Sequence, residues 1–568
     1  MEKIKVLCKN TNEYYEVEPG TTLMQLMKQL DKKDMESNFL MAYVDNMLKE
    51  LSYHIYIPHT ILFLDKSHPD TQRSYLRTLS FIAQKAASEL FEKYSLILDY
   101  TLPNGLYGEL RRKSANNGDG TPKEVQMSLA DVVQLKKRMR EIVEADFPLV
   151  KLKLPNKEAA AIFRKNGREQ KALLTEVVGH FYVSTYLLDG YIDTFYGPLL
   201  YSTGKAKVFD VIPYHYGFCI QTSSVLDPNK ISNFKYQDKL SAVFRENADW
   251  CAKTGASTLG SVNALIRAGK AKDIILISEA LHERKFADIA DMIYSKRNKL
   301  RLVLIAGPSS SGKTTTSKRI ALQCKVLGLN PIVIAMDNYF VSRDKTPLDE
   351  NGEYNFENLH ALDLELLNNQ LNDLFDGKEI NVPTYDFIKG DRIFDGKMIH
   401  MEENDIIIME GIHALNPELL PDVSKNKVFK IYASALTSLS IDENNSISTS
   451  DNRKLRRMTR DYATRGISPE ETILRWPSVR RGEEKNIFPF QENADVMFNS
   501  TLIYELPMLK YYVEPLLHTI SPTSDAYPES LRLLKFLSYI VGLSQSDTIH
   551  IPPTSVMREF IGGSSFNY

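Results

Sequence analysis

Residues 301–319 read RLVLIAGPSSSGKTTTSKR. Leu302 to Ala306 form an unbroken apolar run, and beyond it small hydroxyl side chains crowd around Lys313. Gly307, Gly312, Lys313 and Thr314 stand at the fixed positions of G-x-x-x-x-G-K-[ST]. In such a loop the backbone N–H groups curl around phosphates, the lysine neutralises them, and the next hydroxyl ligates Mg²⁺. Gly307, Ser309, Ser310, Ser311, Gly312, Lys313, Thr314 and Thr315 are therefore the predicted phosphate-binding residues. The context agrees: a buried strand precedes the loop, and a helix follows whose N-terminus favours anions.

Working outward, NPIVIAMD (330–337) and NDIIIMEG (404–411) are two more continuous apolar strands. Strands of this kind alternating with helices predict a parallel sheet covered on both faces. The first ends in Asp337, and the second carries Glu410 at its end. Ligands of open parallel sheets sit beyond the carboxyl ends of the strands. Two carboxylates there, with Thr314, can hold Mg²⁺ directly or through water, and one can accept a proton from an attacking hydroxyl. Farther on, Arg453, Arg456, Arg457 and Arg460 recur at helical spacing in NRKLRRMTRDYATRG, and Arg465 precedes Gly466. Like charges on one face repel unless an anion lies between them, which predicts a helical lid over transferring phosphates. Ser468, Pro469 and Glu471 then start a fresh helix with a capping box.

Upstream the pattern differs. KIKVLC and EYYEVE are short strands, PGTTLMQLMKQL starts a helix capped by Thr21 or Thr22, and FLMAYVDN and HIYIPHTILFLD are further strands, together predicting a β-grasp module. From about residue 70, TQRSYLRTLSFIAQKAASELFEKY and LADVVQLKKRMREIVEAD are amphipathic helices flanking the loop ANNGDGTPK. The aromatic, β-branched stretch 180–220 reads as antiparallel sheet. Residues 236–298 read as a helical connector.

The composition excludes several classes. Of 568 residues, 43% are hydrophobic and 25% charged, and the formal net charge is −2, so no chain-wide basic field draws the protein to RNA or a membrane. The four cysteines (Cys8, Cys219, Cys251, Cys324) contain no C-x-x-C pair, which argues against a zinc ribbon and suits a reducing compartment. Without a leader-like apolar segment or an 18-residue apolar run, the expected location is cytoplasmic.

Residues 300 to about 515 resemble the uridine kinase and phosphoribulokinase group of P-loop kinases. Besides the loop, the likeness rests on MDNYF, YNFENLHALD, VPTYDF, IMEGIHAL and RRMTRDYATRG in that order. It implies ATP and Mg²⁺, with Lys313, Asp337 and Glu410 as catalytic residues and Thr314, Asp337 and Glu410 around the metal. Asp337 would take the proton of a nucleoside 5′-hydroxyl. Tyr339, Phe340, Tyr385 and Phe387 would line the acceptor pocket, Arg457 would contact ribose, and Arg460 and Arg465 would face phosphate. Glu357 stands where uridine kinases have a ribose-gripping aspartate, and Gly390 where they carry a base-reading histidine.

Residues 1–65 resemble a TGS domain, and residues 66–235 the second additional domain of threonyl-tRNA synthetases, through patches such as QRSYLRTLSF and LLDGYIDTFYGP. That domain's H-x-x-x-H and C-x-x-x-H pairs align with Arg73 and Arg77, and with Phe195 and Leu199, so no metal site is expected there. His180 and His215 remain as lone histidines. The expected architecture is multidomain α/β: a TGS-like module (1–65), a synthetase-like α+β module (66–235), a helical connector (236–298) and a kinase domain (299–568). The expected function is transfer of the γ-phosphoryl group of ATP to a nucleoside. The alternatives are a phosphosugar or pantothenate-like alcohol as acceptor, or an ATP-sensing RNA-interaction protein.

Overall fold

The computed structural model describes residues 2–30, 39–103, 105–116, 122–223, 227–348, 352, 354–386, 389–421, 423–437 and 439–567. Phe387 and part of the ANNGDGTPK loop lie outside the described residues. Among the described residues no helix is long and apolar enough to cross a membrane.

The first block is a mixed five-stranded sheet of β1 (Ile4–Cys8), β2 (Glu13–Val17), β3 (Phe39–Val44), β4 (Met47–Glu50) and β5 (Thr60–Asp65), in the order β2-β1-β5-β3-β4. Only β1 and β5 pair in parallel. Helix α1 (Leu23–Gln29) buries Leu23, Leu26 and Met27 and starts at Thr22, whose side chain and that of Gln25 form a reciprocal capping box.

The second block carries α2 (Pro69–Leu90), β6 (Tyr94–Leu102), β7 (Gly105–Asn116), β8 (Pro122–Val125), α3 (Leu129–Glu144), β9 (Val150–Pro155), α4 (Asn156–Lys165), α5 (Glu169–Val178), β10 (Tyr182–Leu188), β11 (Tyr191–Asp193), β12 (Phe209–Tyr214) and β13 (Gly217–Thr222). The aromatic stretch that reads as antiparallel sheet contributes antiparallel strands to two sheets. β10 and β11 join β9 in a three-stranded sheet, whereas β12 and β13 join β7 and β8. Between them Phe195, Leu199 and Leu200 are buried in the core under α2, so this irregular segment is fixed by packing rather than by a ladder.

The span predicted as a connector folds as α6 (Asp238–Lys253), α7 (Leu259–Arg267) and α8 (Ala271–Ser295), and these helices are integral to the core. Leu240 and Phe244 of α6 join a cluster with Tyr100, Tyr107 and kinase-region residues such as Leu302. Leu259 and Val262 of α7 pack with Leu455, Met458 and Leu509.

The C-terminal region is built on β14 (Leu302–Ala306), β15 (Asn330–Ala335), β16 (Asp405–Glu410), β17 (Val428–Ser434) and β18 (Val496–Asn499). They form an all-parallel sheet in the order β15-β16-β14-β17-β18. Every residue of β14 is buried, as a central strand covered on both faces requires. Around it lie α9 (Lys313–Val326), α10 (Leu364–Phe375), α11 (Thr449–Arg465), α12 (Pro469–Asn486), α13 (Glu505–Leu517), α14 (Tyr527–Leu537) and α15 (Arg558–Ile561). Gly466 closes α11 in the left-handed conformation, and the Ser468 capping box opens α12.

A short hairpin, Ser440–Asp442 with Asn445–Ser446, carries the chain from β17 towards α11 and inserts into the second block. Asn444 accepts from Gln84 at 2.6 Å and donates to Asp193 at 2.7 Å. Glu443 receives the backbone N–H groups of Gln170 and Lys171, and Asp442 receives the Tyr196 hydroxyl. Asp193 is fully buried between Arg168 and Lys171. Burial works against its charge, but the two cations outweigh it and hold the carboxyl below the usual aspartate range.

Asp193→Ala leaves two buried cations short of their anion, and we expect a loss of about 3–5 kcal/mol in urea unfolding. A depressed native pKa places this contribution above the unfolded value, so in wild type it should fade as pH falls through the native pKa, below the ordinary aspartate range.

Candidate active site

The loop between β14 and α9 takes its shape from its neighbours. Gly307 passes so close to β17 that a Cβ there would collide with the Ala433 carbonyl oxygen. Ser310 adopts a positive φ of 57°, and Gly312 one of 83° where the helix begins. The hydroxyls of Ser310 and Ser311 are buried and find no hydrogen-bond partner among the described residues. Lys313 folds back onto the Pro308 carbonyl at 3.3 Å. The loop thus gathers donors around an unfilled demand for acceptors, which is what an oxyanion ligand supplies.

Glu410, at the end of β16, accepts from the Thr314 hydroxyl at 2.8 Å. Burial pushes its carboxyl pKa up, with Lys313 opposing. Asp337 follows β15 on a short 3-10 turn (Met336–Tyr339). Solvent reaches its carboxylate, yet the protein walls around it raise its pKa, against the pull of Lys313 and Arg465. A carboxylate both accessible and held above its usual range is suited to accept a proton. Glu357 packs its stem on Gly482 of α12, and burial with the Glu483 charge raises its pKa to about 7. Lys313, Arg457 and Asp337 are the other charges acting on it, so Glu357 belongs to the same cluster.

The arginine series divides. Arg453 and Arg456 are fully buried and face protein carboxylates, correcting the single phosphate-facing row expected from their spacing. Arg453 grips Glu483 of α12, with Nη2 at 2.7 Å from Oε2, and donates to the Ser309 carbonyl at 3.0 Å. Burial pushes Glu483 up, but Arg453 and then Arg480 outweigh it and hold its carboxyl low. Glu483 also accepts the Ser309 N–H at 3.2 Å. Arg456 grips Glu505 at the start of α13, with Nη2 at 2.7 Å from Oε2, and donates to the Ser310 carbonyl and to Ser500. Arg457, Arg460 and Arg465 instead converge on Asp461, at 3.1, 2.8 and 3.4 Å. Arg457 also reaches the Ser309 hydroxyl at 3.2 Å.

In the expected acceptor pocket, Tyr339 is turned into the core, 1% exposed, with its hydroxyl on Gln370 at 2.8 Å, so the sequence-based expectation of an acceptor contact does not describe its placement. Phe340 and Tyr385 are buried edge to face, with centroids 5.6 Å apart. Gly390 is buried beneath Arg343: a Cβ there would lie 2.7 Å from Arg343 Nε, and the Arg343 backbone N–H donates to the Gly390 carbonyl at 2.8 Å. Arg343 had no signal in the sequence analysis, because nothing in RDK marks it as a partner of a glycine 47 positions away.

At the positions aligned with synthetase metal ligands, Arg73 is paired with Asp70 and Glu529, Arg77 lies against Gly197, and Phe195 and Leu199 are core residues. His180 rests near the Tyr539 ring, and His215 lies 3.6 Å from Asp238.

The sequence pattern of the "Phosphoribulokinase / Uridine kinase family" matches residues 302–503, the span holding the loop, both carboxylates and the arginine helix. A uridine kinase of Staphylococcus epidermidis is 32% identical over 201 residues, covering 35% of this chain and 87% of that protein. The chain belongs to the phosphoribulokinase/uridine kinase family. A uridine kinase of Staphylococcus aureus is 33% identical over 197 residues, 34% of this chain and 86% of that one. Among solved structures, a possible uridine kinase from Bacillus stearothermophilus covers 38% of this chain and 98% of its own, at 22% identity and a TM-score of 0.26. The family match makes the C-terminal region that of a P-loop kinase, a phosphotransferase with a small-molecule acceptor.

Arg453→Met removes the cation under the loop while keeping the stem, so Glu483 is left buried with only Arg480 beside it. We expect a loss of about 3–5 kcal/mol in urea unfolding. Arg453→Met/Glu483→Met removes both charges and should recover most of that stability. Calorimetry with Mg·ADP should still show weakened binding, because Ser309 has lost both its brackets.

Proposed function

We propose that this protein is an ATP-dependent kinase of nucleosides, transferring the γ-phosphoryl group to the 5′-hydroxyl. The observation that carries the reading is the juxtaposition of the hydroxyl-rich loop with Thr314, Glu410 and Asp337 at the carboxyl ends of three neighbouring parallel strands. Gly307, Ser309, Ser310, Ser311, Gly312, Lys313, Thr314 and Thr315 cradle the triphosphate. The donor set of one hydroxyl and two carboxylates is all oxygen, which fits Mg²⁺. Bound there by Thr314, Asp337 and Glu410, Mg²⁺ would neutralise phosphate charge. Asp337 removes the acceptor's proton as its oxygen attacks the γ-phosphorus. The bond from that phosphorus to the bridging oxygen breaks, and ADP leaves with the electron pair. Lys313 meets the charge developing on the phosphoryl oxygens, Arg460 and Arg465 close over them and keep water out, and Arg457 contacts the ribose.

On the acceptor side, Phe340, Tyr385 and Phe387 are proposed to line the pocket, and Glu357 to accept from the ribose diol. The Arg343 guanidinium lies over Gly390, the position aligned with a base-reading histidine, and is proposed to offer N–H donors to the base. The front blocks are proposed as TGS-like (1–65) and synthetase-like (66–235) modules without zinc, and the cytoplasm as the location.

Asp337→Asn cannot take the proton, so kcat should drop about 10²–10⁴-fold while Mg·ATP binding, followed by calorimetry, persists within several-fold. Lys313→Ala should cost roughly 10²–10³-fold in rate. Turnover within about threefold of wild type in the lysine variant would remove the loop from the reaction.

Uridine, cytidine, inosine, adenosine and 2′-deoxyuridine should be compared by kcat/KM. Guanidinium donors suit a keto oxygen and leave an exocyclic amino group unpaired, so uridine and inosine should lead cytidine and adenosine by about tenfold. The 2′-deoxy substrate should lag. Turnover of none of the five sinks the nucleoside reading and turns attention to other alcohols.

A further inference from the structure

The chain continues past the family match, and its last segment folds back over the phosphate loop. Val556, Met557 and Phe560 are buried there. A Cβ on Gly312 would lie 2.7 Å from Val556 Cγ1, so the tail takes the space that a side chain at the helix start would need. Arg319 donates to the Thr554 carbonyl at 2.8 Å, Ser555 donates to Glu279 at 2.6 Å, and the Arg456 guanidinium lies 4.9 Å from the Phe560 ring centroid. This seat presents Glu559 to the first turn of α9. Glu559 Oε2 accepts the Thr315 N–H at 3.3 Å and the Thr315 hydroxyl at 2.6 Å. Its other oxygen faces Arg460 Nη1 at 3.8 Å.

The N-terminus of a long helix, with unpaired N–H groups and the positive end of the helix dipole, is a place for an anion. In this protein an anion is already there, supplied by the chain itself 244 residues away. Both oxygens of Glu559 meet groups that the proposed function assigns to phosphate: Thr315 of the loop, and Arg460 of the lid. A carboxylate is a one-charge substitute for a phosphate oxygen pair, and the two cannot share Thr315.

We infer that Glu559 is an intramolecular plug of the nucleotide site, occupying the phosphate position at Thr315 until a nucleoside polyphosphate displaces it. The inference rests on the reading of this loop as the ATP site. Apparent affinity for nucleotide is lowered by the fraction of time the carboxylate sits in place. Displacement also frees Arg460 from Glu559, leaving Asp461 as its remaining carboxylate partner, so arrival of the donor and release of a lid arginine are one event. The tail backbone is anchored by its buried residues, so the motion is a rotation of the Glu559 side chain about its own bonds.

The alternative role, a fixed cap that keeps α9 in order, predicts the opposite sign. Glu559→Gln separates them, because the amide still offers Thr315 an acceptor but carries no charge. In the full-length chain, titration calorimetry with Mg·ADP should show binding by Glu559→Gln tightened about tenfold, since the competent fraction of the site rises. Glu559→Ala should tighten it at least as much. Thermal unfolding without nucleotide checks that each variant is folded, and should the glutamine variant not fold, the alanine variant carries the decision. Binding equal to or weaker than wild type in the folded variant overturns the plug and leaves the loop reading standing. Absence of Mg·ADP binding in wild type and variants alike overturns both.

Discussion

Two buried ion pairs hold this site together. Arg453 with Glu483 and Arg456 with Glu505 place four charges beneath a loop that has to present its N–H groups outward. Such pairs contribute little net stability, since the cost of taking charge out of water offsets most of the attraction. What they impose is position. Each guanidinium has donors left over after binding its carboxylate, and these go to the Ser309 and Ser310 carbonyls. With these carbonyls, and the Ser309 N–H on Glu483, tied down, the loop is held in one conformation. The same two pairs fix α12 and α13 against α11, so the lid-bearing helix, the loop and the C-terminal helices share one electrostatic anchor.

The parts of this arrangement that depend on nearest neighbours were legible in the sequence. The loop, the strands ending at Asp337 and Glu410, and the capping box at Ser468 are all local patterns. The misreadings have one physical origin: a helix face can be recognised from spacing, but what it faces cannot. Arg453 and Arg456 share a period with Arg457 and Arg460, yet their partners lie 30 and 49 residues downstream. The anion predicted from charge repulsion is present for the inner pair as protein carboxylate. The stretch 180–220 reads as sheet on composition alone, but composition does not tell one sheet from two. Tyr339 sits in a motif and still points to the core, because Gln370 offers its hydroxyl a buried partner.

The front of the chain meets the kinase region through polar contacts that are themselves buried. Asp193, Lys171, Arg168, Gln84 and Asn444 satisfy one another, with Asp442 receiving Tyr196 beside them. Farther along, Asp451 and Lys454 of α11 meet Arg532 and Glu529 of α14, and Glu529 also meets Arg73 of α2. The helix carrying the lid arginines is therefore held at its start by residues from both ends of the chain. Apolar packing gives this contact area, while the charges give it a single register.

The hairpin at 440–446 also limits how the chain can be taken apart. A fragment beginning near Leu300 would bring Asp442 and Asn444 into water and strip Glu443 of its two N–H donors, while the remainder would keep Lys171 in an apolar interior facing one anion fewer. Neither piece inherits a complete set of partners. The region matched to the family is thus interlocked with the front of the chain through this hairpin.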